Sequence, residues 1–305
     1  MSVPAAYVTV IVIWSTTPLA IKWSTEEVGF LFGAVARMTL GFLCVYALLR
    51  WRREPLRGDA RALRAYATAA LGIYGAMIAT YWAAQHVPSG WISLIFGLSP
   101  LVTAVLAAAL LGERAPGAHR LLAQGLGLAG LAVIFYRGAA IGPDAVRGIA
   151  ALAWATACHC LSAVLLKRQD HGLSSTGLAA GGLLAALPPY YLSWYLGGAE
   201  VPHALPGYVL GSIAYLGVVA TTCGFTLYYY ILARQSPVQL ALITFVSPLS
   251  ALLLGRWLND EAVDGRVVLG AGCVLGALFL HEVWPALRRP RAAAAPLLAG
   301  DTARG

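Results

Sequence analysis

Residues 99–113 read SPLVTAVLAAALLGE and residues 247–261 read SPLSALLLGRWLNDE, and this pair decides the fold. Each opens on Ser-Pro-Leu, continues through apolar side chains and closes on a glutamate, and the second copy follows the first by 148 residues. The same offset carries Tyr81 onto Tyr229 and Gly117 onto Gly265. Glycine-rich runs come after both copies, GLGLAG from Gly125 and GAGCVLGA from Gly270, and Trp14 and Trp154 open the two halves. Self-similarity at one fixed offset marks an internal duplication. The chain is therefore read as two units, 3–137 and 147–284, followed by a disordered cytoplasmic tail at 285–305.

Composition says what surrounds these units. Of 305 residues, 59% are hydrophobic and 11% charged, against roughly 25% charged in a soluble domain. The mean hydropathy of +0.73 agrees. So few charges cannot cover a water-facing surface of this size unless most of it meets lipid. Charged and turn-forming breaks separate ten apolar runs, at 4–22, 28–49, 65–84, 91–111, 120–136, 147–166, 176–196, 207–231, 237–257 and 266–284. Runs of about 20 residues without period-2 alternation are helices and not strands of a membrane barrel. The N-terminal run lacks a basic leader and a cleavage site, and reads as a retained first span.

Basic loop residues mark the cytoplasmic side. With the N-terminus inside, fifteen Lys and Arg fall on the inner side and five on the outer, Arg37 being within a span. Both termini are thus expected in the cytoplasm. Five spans per half is an odd number, so the second half must insert upside down. The expected fold is an all-α polytopic membrane protein of ten transmembrane helices, arranged as two inverted five-helix repeats. Such repeats are typical of secondary transporters.

The net charge of +8 does not indicate nucleic acid, because the basic residues fall between apolar runs and not on one aromatic-interleaved face. The five cysteines all lie in apolar stretches and read as small hydrophobes. Cys158 and Cys160, two residues apart on a helix, point about 200° from one another and cannot share a metal. Phosphate loops, nucleophile elbows and HExxH patterns are absent from the sequence. No enzyme activity, cofactor or metal is expected. The partners expected are a small-molecule substrate and the bilayer, with the chain acting as a monomer or homodimer.

Trp14-Ser15 with Pro18 and Lys22, Arg37 in the second span, and the stretch from Ser99-Pro100-Leu101 to Gly112-Glu113 together resemble the ten-helix EamA-type branch of the drug/metabolite transporter superfamily. The resemblance covers roughly residues 3–284, and the second copy has Asp260 where the first has Gly112. It implies a secondary carrier, usually an exporter of amino acids, other metabolites or toxic compounds, located in the inner membrane. It also implies a cavity between the halves, faced by helices one, three, six and eight. On those helices Trp14, Tyr81, Trp154 and Tyr228 are cavity candidates. With Thr17, Ser99, Ser162 and Ser247 they would make an aromatic-walled pocket with a few hydroxyls, suited to small amphipathic molecules.

Every acidic residue falls in a loop, tail or helix end. A carrier exchanging organic cations for protons commonly uses an intramembrane acid, so proton-coupled efflux of drug-like amphipathic cations is the second choice behind export of amino acids or related metabolites. Two ionisable groups lie within spans. His159 has an imidazole whose ordinary pKa of about 6.5 suits proton exchange; the alternative is a neutral ring bonded to a neighbouring helix. Arg37 is either a structural partner of helix-end carbonyls or a contact for an anionic group of the substrate. Lys22 and the group Tyr190, Tyr191, Trp194 and Tyr195 read as interface anchors. Pro100 and Pro248 should kink their helices as a paired hinge, and Glu113 and Glu261 could latch a gate from opposite faces. The pairs Gly29–Gly33, Gly177–Gly181, Gly207–Gly211 and Gly272–Gly276 should allow close helix contact.

Overall fold

The computed structural model of the chain describes residues 1–87, 89–113, 117–135, 143–244 and 265–280. Ser247, Pro248 and Glu261, most of the ninth expected span and the tail at 285–305 lie outside the described residues. Those described form helices and no strands.

Helix α1 spans Val3–Trp23, α2 Phe30–Trp51 and α3 Ala60–Ala83. Then α4 covers Ser89–Phe96, α5 Ser99–Leu111 and α6 Ala118–Phe135. The second half contains α7 at Pro143–Arg168, α8 at Ser175–Leu196, α9 at Gly207–Arg234, α10 at Pro237–Ala241 and α11 at Gly265–Leu278. Five of these, α1, α2, α3, α7 and α9, are long and apolar enough to cross a membrane.

Capping explains where helices outrun the apolar pattern. The third span was expected from 65, but α3 begins at Ala60 because Asp59 accepts hydrogen bonds from the backbone N–H groups of Arg61 and Ala62, both at 3.2 Å. These bonds, the Ala62 N–H foremost, hold the exposed Asp59 carboxyl below its ordinary range, with Arg57 adding an ion pair at 2.9 Å. Gly29 enters α2 at φ +77°, a conformation that costs a glycine little. Gly112 ends α5 in the left-handed conformation at φ +68°.

Three helices depart from a regular ladder. Pro100 has no N–H for the carbonyl of Phe96, and the expected fourth span is split at Gly97-Leu98 into α4 and α5. Helix α3 contains a π-helical turn at Leu71–Gly75, and α9 contains one at Leu216–Cys223. Adding the repeat offset of 148 to the first turn lands inside the second. A π turn loosens the i→i−4 ladder and leaves backbone groups for other partners. Accordingly, the carbonyl of Ile73 accepts a hydrogen bond from Tyr190 at 2.8 Å.

Packing mixes the two halves. Helix α2 lies against α8, α6 against α11, α1 against α9, α3 against α7, α2 against the π segment of α9, and α3 against α8. Exchanging each first-half helix with its second-half counterpart maps these pairs onto one another: α1–α9 onto α7–α3, α2–α9 onto α8–α3, and α2–α8 and α6–α11 onto themselves. Apolar side chains such as Val8, Val12, Leu122, Leu192 and Leu275 stay exposed on the outside, where lipid would cover them.

Glycines permit some of the closest approaches, though not all the expected pairs do. Gly181 of α8 sits against the Tyr66 ring of α3, Gly41 of α2 against Thr221, and Gly130 of α6 against the Gly270 carbonyl, 2.6 Å from where a Cβ would stand. Gly207, Gly211 and Gly272 face open space and make no such contact. Spacing alone picks out a strip of helix surface, and whether a neighbour lies on it depends on the packing.

Candidate functional site

A cavity of about 710 Å³, its open mouth included, lies where α1, α2, α3, α4, α7 and α9 converge. Each helix contributes one stripe. Trp14, Thr17, Pro18 and Ile21 are the i, i+3, i+4, i+7 face of α1, Met77 and Thr80 share a face of α3, and Ile92, Ser93 and Phe96 share one of α4. Arg37, His159, Ala220, Phe225 and Thr244 complete the wall. Pro18 and Pro100 line or flank it, and each deprives a carbonyl four residues earlier, Trp14 and Phe96, of its helical donor.

One end of the cavity is a cluster of rings. Trp14 stacks on Tyr228 with centroids 5.4 Å apart, and His159 packs beside Trp14 at 5.7 Å, Phe96 at 6.0 Å and Tyr228 at 5.2 Å. His159 shows ring contacts and no hydrogen bond among the described residues.

Arg37 is the charged side chain of the wall, and only 2% of it is exposed. Its Nε donates to Thr221 Oγ1 at 2.9 Å, within the π segment of α9, and its Nη1 donates to Tyr81 Oη at 3.5 Å. The guanidinium carbon also lies 5.8 Å from the centre of the Tyr81 ring. Helix-end carbonyls, the structural partners considered for it, do not hold it, and among the described residues it has no carboxylate partner. The hydroxyls of Thr17, Thr80 and Thr244 donate to their own helices, at Ile13, Ala76 and Ala241, over 2.7–2.8 Å. Their protons are therefore committed.

The structure brings Trp14, Thr17, Arg37 and His159 together as lining residues, with Tyr81 and Tyr228 directly behind them. It places three other candidates elsewhere. Trp154 is 64% exposed on the outer face of α7, because the helical turn that points His159 inward points Trp154 outward. Ser162 donates to the Thr68 carbonyl at 2.8 Å and packs where Gly72 makes room, in the α3–α7 contact. Ser99 is fully buried, its carbonyl accepting from the Cys160 thiol at 3.5 Å. Glu113 is exposed just beyond the end of α5 and forms no ion pair among the described residues. Tyr190, expected at an interface, is fully buried by its bond to Ile73, whereas Tyr195 remains 72% exposed. Met77, Thr80, Ile92, Ser93, Phe96 and Phe225 were missed. The i, i+3 spacing of Met77 with Thr80 and of Ser93 with Phe96 is the signal that could have found them.

The side of the bundle that carries the N-terminus is bridged across the halves by hydrogen bonds. Tyr7 donates to the Gln239 carbonyl at 2.5 Å, Tyr230 to the Met1 carbonyl at 2.6 Å, Arg57 to the Gly172 carbonyl at 3.3 Å and Gln169 to Thr68 at 2.8 Å, and Ser174 bonds Glu54. Beside these, partial burial lowers the pKa of His171, against the opposing effect of Asp170. The cavity lies toward the other side: its α1 residues come from the later half of that helix and its α2, α3 and α4 residues from the facing ends.

Among known proteins, the model of the EamA-like transporter family matches residues 4–136 and 146–281. The chain is 27% identical over 295 residues to a probable terminal-alkyne amino-acid exporter of Streptantibioticus cattleyicolor, covering 95% of this chain and 96% of that protein. It is 28% identical over 226 residues to Protein PecM of Dickeya dadantii, covering 72% and 73%. A crystal structure that is 21% identical superposes with a TM-score of 0.77 over 94% of this chain and 99% of its own, a likeness of fold.

Proposed function

Because the chain belongs to the EamA-like transporter family, we propose that it is a secondary carrier that exports small organic solutes, amino acids or related metabolites first among them, by opening one cavity alternately to the two sides of the membrane. Ten spans in two inverted repeats, both termini in the cytoplasm and an inner-membrane location belong to the same reading. Trp14, Thr17, Arg37 and His159 meet the solute, and Pro100, with Pro248 as its repeat partner, acts as a hinge.

The observation that carries this is the cavity's position. It is walled by helices of both halves, so any rocking of one half against the other must open or close it. The exchange of helix pairs and the two π turns support the inverted repeat. The bonds that tie the N-terminal side leave the cavity toward the opposite side, the state from which an exporter with cytoplasmic termini releases cargo. The Streptantibioticus relative, named as an amino-acid exporter, supports the cargo class.

A second reading, proton-coupled efflux of amphipathic cations, rests on the ring cluster, since aromatic faces attract cations. It is the weaker one, because no carboxylate lines the cavity among the described residues. Purified protein in liposomes, challenged with labelled amino acids, nucleosides and organic cations under imposed gradients, tests both. Movement of an amino acid supports the first reading, movement of cations alone supports the second, and no movement of any solute under any gradient refutes the carrier.

A further inference from the structure

Resting on the carrier reading, we propose that Arg37 makes the cavity selective for amphipathic monoanions: solutes with an apolar or aromatic body and one carboxylate, for which an amino group is dispensable. The juxtaposition that carries this is a buried guanidinium with open donors, facing a cavity otherwise apolar and aromatic.

A guanidinium has five N–H donors in a fixed fork. In Arg37 one is taken by Thr221 and one by Tyr81, and the remaining three have no partner among the described residues. A buried charge without a counter-ion is costly and persists where it has work to do. Both partners are neutral hydroxyls, which fix the direction of the fork without neutralising it. A carboxylate entering the cavity would supply the missing charge and accept two parallel hydrogen bonds from the fork.

The rest of the wall sets the other half of the selectivity. Trp14, Ile92, Phe96 and Phe225 offer apolar surface to the body of the solute. Thr17, Thr80 and Thr244 have given their hydroxyl protons to backbone carbonyls, and the charged donors of the wall are those of Arg37. Among the described residues no carboxylate lines the cavity to pair with an ammonium group. A cation would meet the field of Arg37 unscreened by a counter-ion, whereas an acid without an amine gives up no paired contact.

Isothermal titration of the detergent-purified full chain with N-acetyl-L-phenylalanine, L-phenylalanine and L-phenylalaninamide separates the contributions. The first keeps only the carboxylate and the last only the amine. N-acetyl-L-phenylalanine should bind at least as tightly as L-phenylalanine, and the amide at least about tenfold more weakly, as expected for loss of a charge-assisted bond. Arg37→Gln should weaken both acids by about tenfold or more, and Arg37→Lys, which keeps the charge but not the fork, by less. Should Arg37→Gln fail to fold, the three ligands on the unaltered chain still decide. Equal binding of amide and acids, binding of the amide alone, or acids unaffected by Arg37→Gln overturns the inference. Equal movement of the amide and the acid in liposomes would leave the carrier standing and remove the anion selectivity. No binding and no transport of any solute would remove both.

Discussion

Replacing Gly181 by alanine should weaken the contact between α3 and α8 by a calculable amount. Its three nearest neighbours are the Cε1, Cδ1 and Cζ atoms of Tyr66, all closer to a Cβ than real contacts allow. Tyr66 is only 4% exposed, so its ring has little room to swing away. Forcing one methyl into a packed site costs about 1–3 kcal/mol, and exchanging glycine for alanine in a helix returns roughly 0.5–1 kcal/mol. The net expected loss is about 0–2.5 kcal/mol, and about 1–3 kcal/mol relative to a glycine-to-alanine exchange in open space. Unfolding in mixed micelles by added SDS, followed by circular dichroism, measures it. Gly211→Ala is the matched control, since nothing lies within 4 Å of that site, and it should be neutral or slightly stabilising. Adding Tyr66→Ala to Gly181→Ala should make the combined loss smaller than the sum of the two, with a coupling of at least about 1 kcal/mol. If Gly181→Ala is as stable as Gly211→Ala, or the double variant is simply additive, the packing described between the halves is wrong.

Other perturbations reach the site and its frame. Trp14→Ala removes the ring packed against both Tyr228 and His159, and should lower affinity for aromatic cargo by about tenfold while sparing small aliphatic cargo; equal effects on both in equilibrium titration would take Trp14 out of the binding wall. Pro100→Ala returns an N–H to the Phe96 carbonyl, so the fused helix should raise thermal stability and slow liposome flux several-fold at unchanged cargo affinity; unchanged flux removes the hinge. The Asp59 carboxyl lies below its unfolded value of 3.8, so its contribution is complete above that pH and lost as pH falls through the folded pKa. Melting temperature should therefore drop more steeply below about pH 4 in the unaltered chain than in Asp59→Asn, which keeps the cap acceptor but cannot titrate.

Much of this architecture was legible in the sequence because lipid imposes a simple rule, that apolar runs of sufficient length become helices. The 148-residue offset also relates the two π turns, which no residue pattern announces. Arg37 and His159 could be picked out because ionisable groups are rare in apolar runs. The hydroxyls and rings could not be sorted the same way. Trp14 and Trp154 each open one half of the sequence, yet one lines the cavity and the other faces outward, a difference set by helix rotation in the assembled bundle. Ser162 reads like a site hydroxyl, but it is spent on a contact with α3 that exists only once the halves pack.

The most direct test of alternating access is to hold the N-terminal side shut. Tyr7→Cys and Gln239→Cys, in a chain with its five native cysteines replaced, place thiols on either side of the Tyr7–Gln239 contact, within reach of a short bifunctional thiosulfonate that reductant cleaves. With the bridge formed, solute flux in liposomes should fall to that of empty vesicles and return when the bridge is reduced. Undiminished flux through the bridged protein would contradict the account.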